Sequence, residues 1–238
     1  KPTTLMWDSS LEAMRNIPSV LSDDRFDAAR EISLVKGEIF LATLRQEFIP
    51  LAGNLKLSSD VAYLITGGTG ALGLELAKYL VSVGARRLVL LSRRGEIGSV
   101  QKILDSLRKR GTSITVVSGD VSVRSDVESL VKSLSKMPEP LKGIFHLAGV
   151  YESCSTRECS VEFLEHVFRA KAKGAALLHE CTANLLFDLD HFVLFSSVAS
   201  TIGPVGYAAY AAANSFLDGL ANVRRLQGTP ALSIQWGP

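Results

Sequence analysis

A glycine-rich turn, Thr66-Gly67-Gly68-Thr69-Gly70-Ala71-Leu72-Gly73, stands between a strand-like run and a helix-like run. Residues 61–66 are short, apolar and closed by glycines, the mark of a strand buried on both faces. After the turn, Leu72, Leu76, Leu80 and Val83 recur at helical spacing. A strand, a tight turn and a helix N-terminus in that order admit few folds. They also leave backbone N–H groups and a positive dipole end free for a phosphate.

The alternation continues along the chain. Strand-like runs at 87–91, 113–118, 141–147, 191–196 and 231–235 are separated by helix-like runs at 100–110, 123–134, 163–184 and 207–226. The 163–184 helix is long, and a bend is expected in it. This rhythm predicts an α/β domain built on a doubly wound parallel sheet. Residues 1–60 do not follow it. Residues 32–34 and 39–41 read as a hairpin about Lys36-Gly37. Residues 23–31 read as an exposed polar helix or loop, and Ser58-Ser59-Asp60 as a linker.

Composition narrows the class of partner. Hydrophobic residues make up 47% of the 238 and charged residues 21%, which fits a globular chain and not a disordered one. A net charge of +2 is too small to argue for nucleic acid. No apolar run approaches the ~20 residues of a membrane span. Asp8, Glu12 and Arg15 make the first residues unlike a signal peptide. Cys154, Cys159, Cys181 and the four histidines lack metal-ligand spacing. A cytoplasmic domain without metal, membrane or nucleic-acid partner is expected.

In open α/β sheets, ligands bind beyond the carboxyl ends of the strands. The glycine turn nominates Thr66, Gly67, Gly70, Ala71, Leu72 and Gly73 for a dinucleotide pyrophosphate. Gly67 and Gly70 allow the tight turn, and Gly73 lets the helix pack on the strand. The second strand ends in Ser92-Arg93-Arg94, with no acidic residue for a ribose 2′-hydroxyl. An arginine there suits a 2′-phosphate, hence NADPH; alternatively, both arginines merely solvate a loop. Asp120 and Val121 end the third strand, where Asp120 can accept from an adenine amino group or cap the following helix. His146, Ala148 and Gly149 end the fourth strand beside the expected nicotinamide ribose, though His146 equally suits a satisfied strand-end histidine. Ser197 ends the fifth strand. Tyr210 and Asn214 are four apart on the next helix and share a face. A tyrosine is a weak acid unless a nearby ammonium favours its phenolate. Lys171 and Lys173, on the preceding long helix, are the candidates.

Residues 61–238 resemble the ketoreductase catalytic subdomain of polyketide synthases, a branch of the short-chain dehydrogenase/reductase family related to the ketoreductase of animal fatty acid synthase. The matching stretches include Tyr63-Leu-Ile-Thr-Gly-Gly-Thr-Gly-Ala-Leu-Gly73, Leu88-Val-Leu-Leu-Ser-Arg-Arg-Gly95, His146-Leu-Ala-Gly-Val150, Phe192-Val-Leu-Phe-Ser-Ser197, Tyr210-Ala-Ala-Ala-Asn-Ser-Phe-Leu-Asp218 and Gln235-Trp-Gly-Pro238.

The resemblance implies a Rossmann domain that reduces a β-ketoacyl thioester with NADPH. The substrate would ride on the phosphopantetheine arm of an acyl carrier protein domain, among other polyketide synthase domains. It implies Ser197, Tyr210, Asn214 and a lysine as the catalytic set. The family pattern Lys-x-x-Gly points to Lys171, with Lys173 the alternative. It gives residues 31–44 the look of the last strands of a truncated, cofactor-less Rossmann-like subdomain, so 1–60 would be its C-terminal part and linker. Two stereochemical fingerprints of the family are missing: Tyr151-Glu152-Ser153 replaces Leu-Asp-Asp, and Ile202 replaces a tryptophan. Family members continue past the last strand into a substrate-covering loop and helix, and the sequence stops at Pro238; an open cleft with Tyr210 partly exposed is expected. A non-reducing ketoreductase-like domain and a fatty acid synthase ketoreductase are the competing readings.

Overall fold

The computed structural model describes residues 4–7, 17–18, 31–35, 38–41, 57–95, 98–155, 157–185 and 187–237. The chain divides into two compact units, Lys1–Gly53 and Asn54–Pro238.

In the first unit, β1 (Thr4–Trp7), β2 (Glu31–Val35) and β3 (Glu38–Leu41) form one sheet in the order β1-β2-β3. β2 and β3 are the expected antiparallel hairpin, with Ile32 opposite Leu41 and Leu34 opposite Ile39. Lys36 and Gly37 lie outside the described residues, as do 23–30 of the segment expected to be polar. β1, which the sequence did not announce, pairs parallel with β2.

The second unit carries the alternation read from sequence. Its strands are β4 (Ala62–Thr66), β5 (Arg87–Ser92), β6 (Ser113–Ser118), β7 (Leu141–His146), β8 (His191–Ser197) and β9 (Leu232–Trp236). All five pairings are parallel, in the order β6-β5-β4-β7-β8-β9. The order reverses between β4 and β7, so the carboxyl ends of these two strands flank the switch point where such sheets bind ligands.

The helices are α1 (Ala71–Ser82), α2 (Gly98–Lys109), α3 (Arg124–Leu134), α4 (Val161–Phe168), α5 (Gly174–Asn184), α6 (Ala199–Ile202) and α7 (Ala208–Leu226). Side chains alternate faces along a strand, so a strand buried on both faces reads as an unbroken apolar run. In β4, Leu64 faces a core shared with α3, α5 and α7, while Tyr63 and Ile65 face a second core shared with α1 and α2. In β5, Val89 and Leu91 join the first core, Leu88 and Leu90 the second.

Two departures from the sequence reading bear on the site. The expected bend is a change of helix type: α4 and α5 are joined by a wide turn, Arg169–Lys173, in which Gly174 N–H reaches back to the Arg169 carbonyl. Such i→i+5 insertions cluster at functional sites. The short α6 was not expected; it follows Ser197 after the single residue Val198 and is capped by Gly203.

Candidate active site

The glycine turn is built as its sequence requires. Gly67 has φ +67°, a conformation that residues with a Cβ rarely adopt, and a Cβ there would stand 3.0 Å from Ala148 N on the neighbouring strand end. At Gly73 the close neighbours are the two glycines that follow β4. An added Cβ would lie 2.5 Å from the Gly67 carbonyl oxygen and 2.8 Å from Gly68 Cα, so this glycine packs α1 against the turn itself. The first intrahelical bond runs from Leu74 N to Gly70 O at 2.9 Å, downstream of the Ala71, Leu72 and Gly73 amides. No side chain caps this end and no acidic residue occupies the first turn. An anion would meet unopposed amides and the positive end of the dipole.

Beside the turn lies a cleft of about 540 Å³, within the usual size of a small-molecule site. Gly67, Gly70, Ala71, Leu72 and Gly73 form one side. Ser92, Arg93 and Arg94 form a second, with Thr69 donating a hydrogen bond to the Ser92 hydroxyl. Asp120 and Val121 form the third, and Ala148 and Gly149 the floor beyond β7. The residues present therefore fit a dinucleotide: bare amides at one end, arginines at the β5 end, and glycines where any Cβ would intrude.

Asp120 does not cap α3. Its Oδ1 accepts from Ser122 N at 2.9 Å and Ser122 Oγ at 2.8 Å, while the α3 residue Asp126 accepts from Asp120 N at 2.9 Å. Burial opposes ionisation of Asp120, but the Ser122 hydrogen bonds and the Arg93 and Arg169 charges outweigh it and hold the carboxyl below its usual range. Thr66 and His146 do not line the cleft. Both are buried beneath it and bonded to each other.

The wide turn presents one lysine inward and the other outward. Lys171 is only 6% exposed, whereas Lys173 is exposed. The Lys171 ammonium donates to the Phe195 carbonyl at 2.8 Å and sits 5.4 Å from the centre of the Tyr210 ring. Gly149 makes room for it: a Cβ there would be 2.9 Å from Lys171 Cε. Burial pushes the Lys171 amine down to about 8, against the opposing pull of the Asp218 carboxylate. Tyr210 is half-buried on α7. Asn214, one turn on, is fully buried; its Nδ2 donates to the Tyr210 carbonyl at 2.7 Å, and its Oδ1 has no partner among the described residues. Ser197 closes β8 with its hydroxyl accepting from Ala199 N at 3.1 Å.

Residues that sequence reasoning did not nominate complete the surroundings. Asp218, four after Asn214 and on the same face, accepts from Ser200 Oγ at 2.8 Å, Gln235 Nε2 at 2.9 Å and Ser233 Oγ. Ser200 also lies 2.8 Å from the Ser197 carbonyl oxygen, so Asp218 ties the Ser197 turn and β9 to the helix of Tyr210. The i,i+4 spacing from Asn214 was the available signal. Tyr151 stacks on Tyr207 with ring centres 4.8 Å apart and meets Tyr210 edge-on at 5.1 Å. An aromatic ring, Tyr151, thus stands at the first position of the stretch where the family carries Leu-Asp-Asp.

Sheet order, glycine turn and cleft define a Rossmann domain of the short-chain dehydrogenase type. The family model described as the KR domain matches residues 61–238. The chain belongs to this family, the ketoreductase domains of polyketide synthases. It is 41% identical over 181 residues to "Phenolphthiocerol synthesis polyketide synthase type I Pks15/1" of Mycobacterium marinum, covering 75% of this chain and 8% of that protein. It resembles the solved first ketoreductase of the tylosin synthase with a TM-score of 0.81 and 37% identity, over 92% of this chain and 47% of that one. A ketoreductase domain from the bacillaene assembly line superposes with a TM-score of 0.84 at 29% identity, over 98% and 57% of the two chains. The chain spans 3–11% of the length of the curated relatives it matches.

Proposed function

We propose that this chain reduces a β-ketoacyl thioester to the β-hydroxyacyl thioester within a polyketide synthase, using NADPH. The observation that carries the reading is the buried Lys171 ammonium, packed against Gly149 of the cleft floor and 5.4 Å from the centre of the Tyr210 ring. When bound, the cofactor supplies a hydride to the β-carbon. Tyr210 donates the proton that the β-oxygen takes up, so one hydride and one proton account for the two hydrogens gained. Ser197 donates a hydrogen bond to the same oxygen, and such stabilisation of developing charge is commonly the largest contribution. The Lys171 ammonium places a positive charge beside the ring that gives up the proton. Asn214 fixes the helix turn that carries Tyr210 through its bond to the Tyr210 carbonyl.

The Ala71, Leu72 and Gly73 amides would hold the pyrophosphate and Arg93 the 2′-phosphate, with Asp120 toward the adenine. The substrate arrives on the phosphopantetheine arm of an acyl carrier protein domain, and other synthase domains share the polypeptide. Residues 1–60 are read as the C-terminal part of a structural subdomain and its linker, and 61–238 as the catalytic subdomain.

The test is NADPH oxidation followed with a β-ketoacyl thioester mimic, with product analysis. Consumption of NADPH matched by β-hydroxy product supports the reading. Tight NADPH binding with no turnover would replace it with a non-reducing domain.

A further inference from the structure

His146 ends β7 with both ring nitrogens engaged and 1% of its surface exposed. Its Nδ1 is 2.7 Å from Thr66 Oγ1, and its Nε2 is 2.9 Å from the Lys171 carbonyl oxygen. A carbonyl only accepts, so Nε2 carries the ring proton, and Nδ1 accepts the Thr66 hydroxyl proton. Thr66 Oγ1 in turn accepts from Ala148 N at 3.4 Å. Gly174 leaves the ring its space, since a Cβ there would stand 3.2 Å from His146 Cε1. Burial pushes the imidazole down to about 4, so the neutral tautomer that makes both bonds persists through neutral pH.

These bonds form a continuous line. It starts at Ala148 on the cleft floor, passes through Thr66 at the foot of the glycine turn, crosses the His146 ring and ends on the backbone of Lys171. Its last acceptor lies inside the wide Arg169–Lys173 turn, where Gly174 N–H reaches both the Arg169 and the Lys171 carbonyls in place of the regular i→i+4 ladder, and the His146 ring adds a second donor to the Lys171 carbonyl. Of these two donors only the ring belongs to the sheet, so it alone ties that carbonyl, from which the Lys171 side chain springs, to β7.

We propose that His146 is a positioning residue that holds the Lys171 turn in register with the glycine turn, so that the proton-handling lysine and the cofactor cleft are set by one buried hydrogen-bonded line. The inference rests on the reductase reading above, and assigns His146 a role away from cofactor contact.

The experiment compares wild type with His146→Phe, His146→Gln and Thr66→Val, measuring kcat with a β-ketoacyl thioester mimic, the Kd for NADPH by fluorescence titration, and Tm. His146→Phe fills the space but removes both bonds, and is expected to lower kcat at least tenfold with the NADPH Kd within about twofold of wild type. His146→Gln returns an N–H donor near the Lys171 carbonyl and should recover most of the loss. Thr66→Val, which removes only the first link, should lie between them and stands as the test if His146→Phe does not fold. Wild-type kcat in His146→Phe or Thr66→Val would overturn the proposal. So would a His146→Gln as impaired as His146→Phe, or an NADPH Kd that rises in step with the fall in kcat. A wild type that binds NADPH but never reduces the thioester would overturn the reductase reading, and this inference with it.

Discussion

The Lys171 ammonium lies 5.4 Å from the centre of the Tyr210 ring and donates to the Phe195 carbonyl. The lysine comes from a turn between two helices, and the tyrosine from a helix that begins after α6. Lys171→Met should lower kcat by roughly a hundredfold or more, the scale of a lost acid–base partner. Lys173→Met, at an exposed position, should leave kcat within twofold. Because the amine titrates at about 8 and its charged form is the useful one, the wild-type rate should fall as pH rises above about 8. Asp218 faces the same amine and supports its charge, so Asp218→Asn should move that alkaline fall to lower pH. A rate–pH profile over pH 6–10 checks all of this; an unshifted alkaline limb in Asp218→Asn would refute the electrostatic part.

Cofactor choice should follow Arg93. Arg93 lines the cleft at the end of β5, where no carboxylate stands at position 92 or 94. A charge-assisted hydrogen bond is worth about 1.5–3 kcal/mol, or roughly tenfold to a hundredfold in affinity. Arg93→Ala should weaken NADPH by that factor and leave NADH nearly unchanged. Equal losses in parallel titrations would remove the 2′-phosphate from its role.

Gly149 should be sensitive through Lys171. A methyl group at 149 would stand 2.9 Å from Lys171 Cε and 3.5 Å from Nζ, so the amine must move. Displacement of a reacting group by about 1 Å can cost a hundredfold. Gly149→Ala should lower kcat tenfold to a hundredfold while the fold, read by Tm, changes little. An unaltered kcat would mean that the lysine has slack in its seat.

Acid stability should report His146. Burial holds its folded-state pKa to about 4, against about 6.5 in the unfolded chain. Between those values the unfolded chain binds a proton that the folded chain refuses. The stability present above about pH 6.5 is therefore lost as pH falls toward about 4, by about 1.4 kcal/mol per pH unit in that window. Urea unfolding at pH 7 and pH 5 should show wild type losing about 2 kcal/mol more than His146→Gln over that interval. Parallel losses in the two proteins would contradict the buried neutral ring.

Much of the domain was legible before any coordinates. The two-faced burial of β4 and β5 writes itself as unbroken apolar runs, and the helical period places Tyr210 and Asn214 on one face. Arg93, Asp120, Val121, Ala148 and Gly149 line one cleft because strand carboxyl ends in a parallel sheet must emerge on the same side. The short strand β1 was missed since four residues carry too little period to stand out. That Gly73 meets the Gly67 carbonyl is not written in the sequence, because that neighbour is a product of how the turn curls. Thr66 and His146 were drawn to the cleft by their place at strand ends, yet both side chains point beneath it.

By itself, the sequence determined the alternation, the sheet class, the glycine turn and the residue types available for hydride and proton chemistry. These follow from local patterns of two to four residues, which periodicity and turn chemistry encode directly. Only the tertiary structure decided which lysine reaches Tyr210, that Asp218 joins the Ser197 turn to α7, and that the His146 ring bonds to the Lys171 carbonyl. Each of those is a contact between residues distant along the chain, set by sheet order and by one widened helical turn. A hydrogen bond such as that from Thr66 to His146 leaves no repeating mark in either segment, because its geometry exists only once the strands lie side by side.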